Sequence, residues 1–239
     1  MKTFNKAQHK YMIDGKPATG VTTIIGVLAK PALIDWSARM TADYIRENVS
    51  YVIAGEDGGF WAIKPSSVEE AKLAHKRKKE AAGEHGTSAH ELVEEWINGT
   101  MKGEVLDDKY KPISKFIKWA DEEVDHFLFS ERQMYNKELF IAGTADFAYI
   151  GKDGRRYIAD FKTSSGIYGI DYWLQVAAYR FLAEAEGDEK YDGATVVRLG
   201  KDGKFEVQKL YEYETFKDGF LACLSLYRLQ ASANSLVIK

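Results

Sequence analysis

The chain has 239 residues, 45% of them hydrophobic and 29% charged, with 33 Lys and Arg against 36 Asp and Glu. That composition excludes a disordered polypeptide, and a formal net charge of −3 excludes a protein that grips nucleic acid by overall charge alone. The single cysteine, Cys223, excludes an internal disulfide, a cysteine-rich zinc site and an iron–sulfur cluster. The N-terminus lacks the apolar stretch of a secretion signal and no run approaches membrane-spanning length, so the expectation is a soluble, cytoplasmic protein. Four prolines and no Ser/Gly-rich tract predict one compact domain. It would comprise an N-terminal hairpin and helices over 1–82, a core over about 83–190, and a C-terminal hairpin and helix over 191–239.

In chain order, HKYMIDGKPATGVTTIIG alternates around Asp14-Gly15 and predicts a hairpin. The spacing of Leu33, Trp36, Met40, Ala42 and Tyr44 predicts a helix from Pro31 to about Asn48. Ser67-Val68-Glu69-Glu70 reads as a capping box that opens a helix. That helix carries Lys72, Lys76, Arg77, Lys78 and Lys79, a local basic cluster; Arg155 and Arg156 form a smaller one. Such a run is either a path for a polyanion or a solvated helix face. Gly83 and Gly86 are predicted to interrupt the helix, and Thr87 to cap another bearing His90, Leu92, Val93, Glu94 and Trp96, stopped at Asn98-Gly99. A further helix is predicted from Pro112 to Phe127.

Between Glu138 and Lys162 two predicted strands flank Gly151-Lys152-Asp153-Gly154. Asp171 then caps a helix from Tyr172 to about Glu186, ended by Gly187. A second hairpin, ATVVRL and KFEVQKLY, turns at Gly200-Lys201-Asp202-Gly203, and a last helix spans about Tyr213 to Gln230. The order predicts an α/β or α+β fold, a short mixed β-sheet flanked by helices.

The register of the central hairpin decides whether it carries chemistry. A three-residue loop, Lys152-Asp153-Gly154, places Gly154 in the left-handed position and pairs Ile150 with Arg156, Ala148 with Ile158 and Asp146 with Asp160. Lys162 then shares the face of both acids, while Phe147, Tyr149, Tyr157, Ala159 and Phe161 form an apolar face. A two-residue turn at Asp153-Gly154 would instead send Asp160 to the face opposite Asp146. The clean separation of polar and apolar sides favours the first register. Two carboxylates directly opposite each other repel unless something positive lies between them, and hard oxygen ligands suit Mg²⁺ or Mn²⁺. Lys162 would hold an attacking water and offset charge developing on a phosphate. The competing reading is a surface ladder of Asp and Lys pairs. The second hairpin has the same turn, yet its register pairs Arg198 with Glu206 and Val196 with Gln208; the acid pair belongs to the first hairpin alone.

Gly143-Thr144-Ala145-Asp146 followed by Asp160-Phe161-Lys162 resembles the signature of the PD-(D/E)XK nuclease superfamily. Gln175-Val176-Ala177-Ala178-Tyr179 is similar to the Q-x-x-x-Y motif of its RecB-type branch, and Gly86-Thr87-Ser88-Ala89-His90 to that branch's upstream G-x-x-x-H element. The motifs cover about residues 83 to 182. A weaker likeness, in the GVTTIIG…KPALIDW stretch, is to phage and prophage exonucleases and mitochondrial genome maintenance exonucleases.

The resemblance implies a restriction-endonuclease-like core and a divalent-metal-dependent DNA exonuclease. Its metal ligands would be His90, Asp146, Asp160 and the Phe161 carbonyl, its catalytic residues those side chains with Lys162, and its DNA-orienting residues Gln175 and Tyr179. Glu131 and Glu94 are expected beside the metal ligands. His85 does not occupy the family's histidine position. The cofactor would be Mg²⁺ or Mn²⁺, with no iron–sulfur cluster. The implied setting is phage-type recombination or DNA processing in a bacterial cell. Its implied partners are DNA, a recombination or single-strand-annealing protein, and other copies of the chain. An endonuclease on the same core and a catalytically silent DNA-binding module are the alternatives.

Overall fold

The computed structural model of the protein describes residues 1–5, 8, 10–53, 59–100, 113–164, 166–200 and 203–236. In chain order the elements are β1 (Lys2–Asn5), β2 (Lys10–Ile13), β3 (Lys16–Gly20), α1 (Val21–Ile25), α2 (Pro31–Asn48), β4 (Ser50–Ile53), β5 (Gly59–Ala62) and α3 (Pro65–Ile97). They continue with α4 (Ser114–Glu123), β6 (Val124–Asn136), β7 (Ile141–Gly151), β8 (Arg156–Lys162), α5 (Asp171–Ala185), β9 (Gly193–Leu199), β10 (Phe205–Leu210) and α6 (Tyr213–Leu236). The chain divides into two compact units, residues 1–28 with 88–239, and residues 29–87.

The larger unit is built on an eight-stranded mixed sheet in the order β1-β2-β3-β7-β8-β9-β10, with β6 also paired to β7. Asp14 and Gly15, both at positive φ (49° and 77°), close the β2–β3 turn across the pair Ile13 and Lys16, as the first hairpin predicted. One edge of β7 carries β6 from Asn136 opposite Ile141 to Val124 opposite Gly151. The other edge is shared. Parallel β3 takes its start, Thr19 with Ile141 and Gly20 with Ala142. Antiparallel β8 takes its end, from Phe147 with Ala159 to Ile150 with Arg156. Between them, from Gly143 to Asp146, that edge has no ladder partner among the described pairs. The fork so formed positions the site.

Helices cover both faces of the sheet. Ile24 of α1, Leu174 and Leu182 of α5, and Phe220 of α6 pack with Ala148, Ile158 and Val196. On the other face Leu92 and Val93 of α3 and Phe116 and Trp119 of α4 pack with Phe147, Tyr149, Tyr157, Ala159 and Phe161. That is the apolar face expected from the three-residue register, and the observed pairing is of that register. Gly154 sits at φ 75° and donates its amide to Gly151, 2.8 Å away. Buried Tyr149 satisfies its hydroxyl on Thr195, 3.0 Å away, which is why a phenol survives in this core. The second hairpin also pairs as expected, Arg198 with Glu206 and Val196 with Gln208.

Some predicted elements differ: the stretch VTTII, expected within the first hairpin, forms α1, and Asp171, expected to cap α5, is its first residue. The helix expected to break at Gly83 and Gly86 runs unbroken for 33 residues, from Pro65 to Ile97, so Thr87 caps nothing. Each interior glycine costs only about 1 kcal/mol relative to alanine, too little to end a helix with strong formers on either side. It also starts at Pro65, before the Ser67 capping box, because proline is suited to a first helical position. Its stop at Gly99, φ 65°, is as predicted. The helix expected to reach Phe127 ends at Glu123, and Val124 begins the 13-residue strand β6; Pro112, its expected start, lies outside the described residues. Pairing along almost the whole of β7 outweighs local helical spacing there.

The smaller unit contains α2, the β4–β5 hairpin, which pairs Tyr51 with Trp61, and the first part of α3. Within it Lys72 pairs with Glu69, and Arg77 pairs with Glu70 and lies over the Tyr44 ring. Among the described residues no helix is long and apolar enough to cross a membrane.

Candidate metal centre and active site

The fork brings three carboxylates into one row. Extending the β7–β8 register by one residue sets Asp160 opposite Asp146. On the other edge the pairs Ser130 with Phe147 and Arg132 with Ala145 bracket Glu131 opposite Asp146. Glu131, Asp146 and Asp160 therefore stand side by side on β6, β7 and β8. Glu131 adopts φ 49°, a left-handed backbone that costs a non-glycine residue about 1–2 kcal/mol. Strain of this kind collects where a side chain must be aimed, and here it coincides with the acid row.

His90, from α3, closes the cluster. Its Nδ1 lies 3.6 Å from Asp146 Oδ1, and its ring is 5.6 Å from that of Phe161. Ligand atoms of His90, Glu131 and Asp146 all fall within 4.8 Å of one another, a group that could hold a metal ion. Two ligands bound at about 2.1 Å and at right angles around Mg²⁺ lie about 3 Å apart, so the His90–Asp146 separation suits a cation between them. One imidazole with carboxylate oxygens is a donor set for a divalent metal ion.

The other half of the site is a chain of buried polar groups. Lys162 forms an ion pair with Asp160 Oδ2 and donates to Gln175 Oε1, 3.0 Å away. Gln175 Nε2 donates to Asp160 Oδ1 (2.9 Å) and to the Tyr179 hydroxyl (2.8 Å). Gln175 and Tyr179 are one turn apart on α5 and thus face the same way. Gln175 directs its amide at Asp160 and Lys162, and the Tyr179 hydroxyl accepts from that amide. Gly143 makes room for this: a Cβ there would stand 2.8 Å from the Tyr179 ring.

Burial pushes the Asp160 carboxyl up to about 6; Lys162 opposes the rise and Asp146 adds to it. For Lys162 burial works against the ammonium, but the neighbouring Asp160 outweighs it and holds the lysine above its ordinary value. Burial likewise raises the Tyr179 phenol, with the two aspartates adding to it. The site is thus acidic, with the Asp160 carboxyl held up by burial beside the charged Lys162.

These groups line a cleft of about 260 Å³ together with Tyr11, Val21, Thr22, Gly143 and Thr144. Tyr11 bonds Thr144 Oγ1 at 2.9 Å. Thr144 could have been read from its place two residues before Asp146, on the same face; Tyr11 arrives from β2, a neighbour that no local spacing announces. Glu94 does not line the cleft. Phe161 enters through its amide, which donates to Asp146 Oδ2 at 2.5 Å; the expectation concerned its carbonyl. The side chains of residues 82–88, His85 included, lie outside the described ones.

No family model and no curated protein matches the sequence. Among solved structures, SSO0001 is similar with a TM-score of 0.44 and 12% identity, over 92% of this chain and 79% of its own. A candidate exonuclease from Eubacterium rectale is similar with a TM-score of 0.37 and 14% identity, over 63% and 68%. At such scores the likenesses assign nothing to this chain, and its reading rests on its own residues.

Proposed function

We propose that this chain is a divalent-metal-dependent deoxyribonuclease that hydrolyses phosphodiester bonds, acting as an exonuclease largely without regard to sequence. The observation that carries the proposal is the row Glu131, Asp146 and Asp160, set beside His90 on one flank and a half-buried Lys162 on the other. Like charges on neighbouring strands repel, and a bound cation would offset that repulsion. His90, Glu131 and Asp146 would hold the cation, with Asp160 as the neighbouring acid. An ion held there would supply charge to offset the acids, polarisation of a scissile phosphate and a more acidic bound water.

The protein's own groups do the rest. Lys162 places a fixed ammonium where negative charge develops on the phosphate, and its burial makes that charge more effective than it would be in water. Asp160 keeps the lysine charged. Gln175 fixes both partners by donating to one and accepting from the other. Tyr179, against Gly143, holds the Gln175 amide in its rotamer. None of these contacts reads a base edge, which suits sequence-independent cleavage.

The test is degradation of end-labelled linear and closed circular DNA by wild type and Lys162→Ala, with Mg²⁺, Mn²⁺ or EDTA. The proposal expects metal-dependent loss of the linear DNA alone, abolished in the variant. Cutting of circles would make the chain an endonuclease. Folded wild type that binds DNA and metal but cuts neither substrate would make it a binding module.

A further inference from the structure

The loop between β8 and α5 leaves the site directly after Lys162 and is tied down at its root. The Ser164 carbonyl accepts from Arg198 Nε at 2.7 Å, and Arg198 is itself only 3% exposed. Ser164 Oγ donates to the Gly166 carbonyl at 2.7 Å and accepts from the Tyr172 hydroxyl at 3.2 Å. The Lys162 ammonium lies 5.1 Å over the Tyr172 ring. Through that ring the loop is fixed to the lysine that faces the proposed scissile phosphate.

Beyond this root the loop presents one aromatic side chain. A Cβ at Gly166 would stand 2.4–2.6 Å from three atoms at the far end of the Tyr168 side chain, so the ring lies against the Gly166 backbone. Tyr168 nevertheless remains 60% exposed, and Ile170 beside it 56%. No ring or cation stacks on Tyr168 among the described residues. A lone exposed tyrosine is ordinary; this one stands on a loop anchored by a buried arginine and, through Tyr172, by the lysine proposed to face the phosphate.

We infer that Tyr168 is the stacking platform for the nucleobase adjoining the phosphate at Lys162, a reading that rests on the nuclease function proposed above. Every base has an apolar face, so stacking holds a strand without selecting its sequence. The ring and the lysine together would fix the strand at two points, base and phosphate. Those two points define the direction in which the chain end enters the cleft.

The experiment uses single-stranded oligonucleotides carrying 2-aminopurine at one of the two terminal positions, bound in Mn²⁺ to full-length Lys162→Met, expected to leave the strand uncut and to keep the Tyr168 contact while losing the phosphate one. The 2-aminopurine fluorescence should be quenched with Tyr168 and with Tyr168→Phe, and recover with Tyr168→Ala. Affinity should fall about tenfold in the alanine variant. An abasic residue at the quenched position should erase that difference. In the cleaving enzyme the Tyr168→Ala loss should fall on KM rather than kcat. An undiminished quench in Tyr168→Ala, or an equal affinity loss with the abasic strand, would overturn the platform alone. Failure of wild type and Lys162→Met to bind any oligonucleotide in Mn²⁺ would overturn both readings.

Discussion

Gln175→Leu separates two roles for the Q-x-x-x-Y helix. The substitution keeps bulk but removes three hydrogen bonds: to Asp160 Oδ1 at 2.9 Å, from Lys162 at 3.0 Å, and to the Tyr179 hydroxyl at 2.8 Å. Two of these involve ions, each worth about 1.5–3 kcal/mol, and the third about 1 kcal/mol. The leucine's own apolar burial returns part of that, leaving a net loss of roughly 4 kcal/mol. For a chain of this size 1 kcal/mol moves Tm by about 2–4 °C, so Tm should fall by roughly 8–16 °C in EDTA, without DNA present. The assay is thermal unfolding followed by circular dichroism, paired with cleavage at saturating DNA. If Tm stayed within about 2 °C while only DNA affinity declined, Gln175 would be a strand contact and its bonds to Asp160 and Lys162 would carry no weight.

Glu131→Gln should leave the fold intact but shrink the rise in Tm produced by Mn²⁺, which for a site filled at 100 times Kd corresponds to about 2.7 kcal/mol in the wild type; an unchanged rise would remove Glu131 from the metal centre. Gly143→Ala forces a Cβ to within 2.8 Å of the Tyr179 ring, so both Tm and kcat should drop, whereas an alanine variant of wild-type activity would show that Tyr179 is free to move. Burial pushes the Asp160 carboxyl up to about 6 when folded, against about 3.9 unfolded. The protonated acid thus favours the folded state, a contribution complete below the unfolded value and lost as pH rises through the folded one. In EDTA, urea unfolding should show wild type losing stability relative to Asp160→Asn between pH 4 and 6.5, and a constant difference would contradict the assignment.

Much of this was legible in the sequence because its decisive features are local. The Asp146–Asp160–Lys162 face follows from one three-residue loop and the period of two along a strand. Both hairpins around Gly-Lys-Asp-Gly follow from turn chemistry in the same way. What could not be read depends on distant partners. The strand β6 looks helical at its start, yet pairs along β7, and that pairing sets Glu131, expected only beside the metal ligands, opposite Asp146. The left-handed backbone of Glu131 has no signature in its neighbours, since glutamate rarely adopts it. Tyr11 reaches Thr144 across 133 residues. The polar atoms of Gln175 point where the sequence suggests, into the site, but their partners are Asp160, Lys162 and Tyr179.

The central claim is that one constellation holds a cation and a second, built on Lys162, uses it. Single-turnover cleavage of end-labelled linear DNA, by wild type and Lys162→Met at equal measured Mn²⁺ occupancy, tests this most directly. The predicted result is unchanged Mn²⁺ binding with cleavage abolished in the variant and absent from wild type in EDTA. Cleavage by Lys162→Met at the wild-type rate, or cleavage that persists in EDTA, would contradict it.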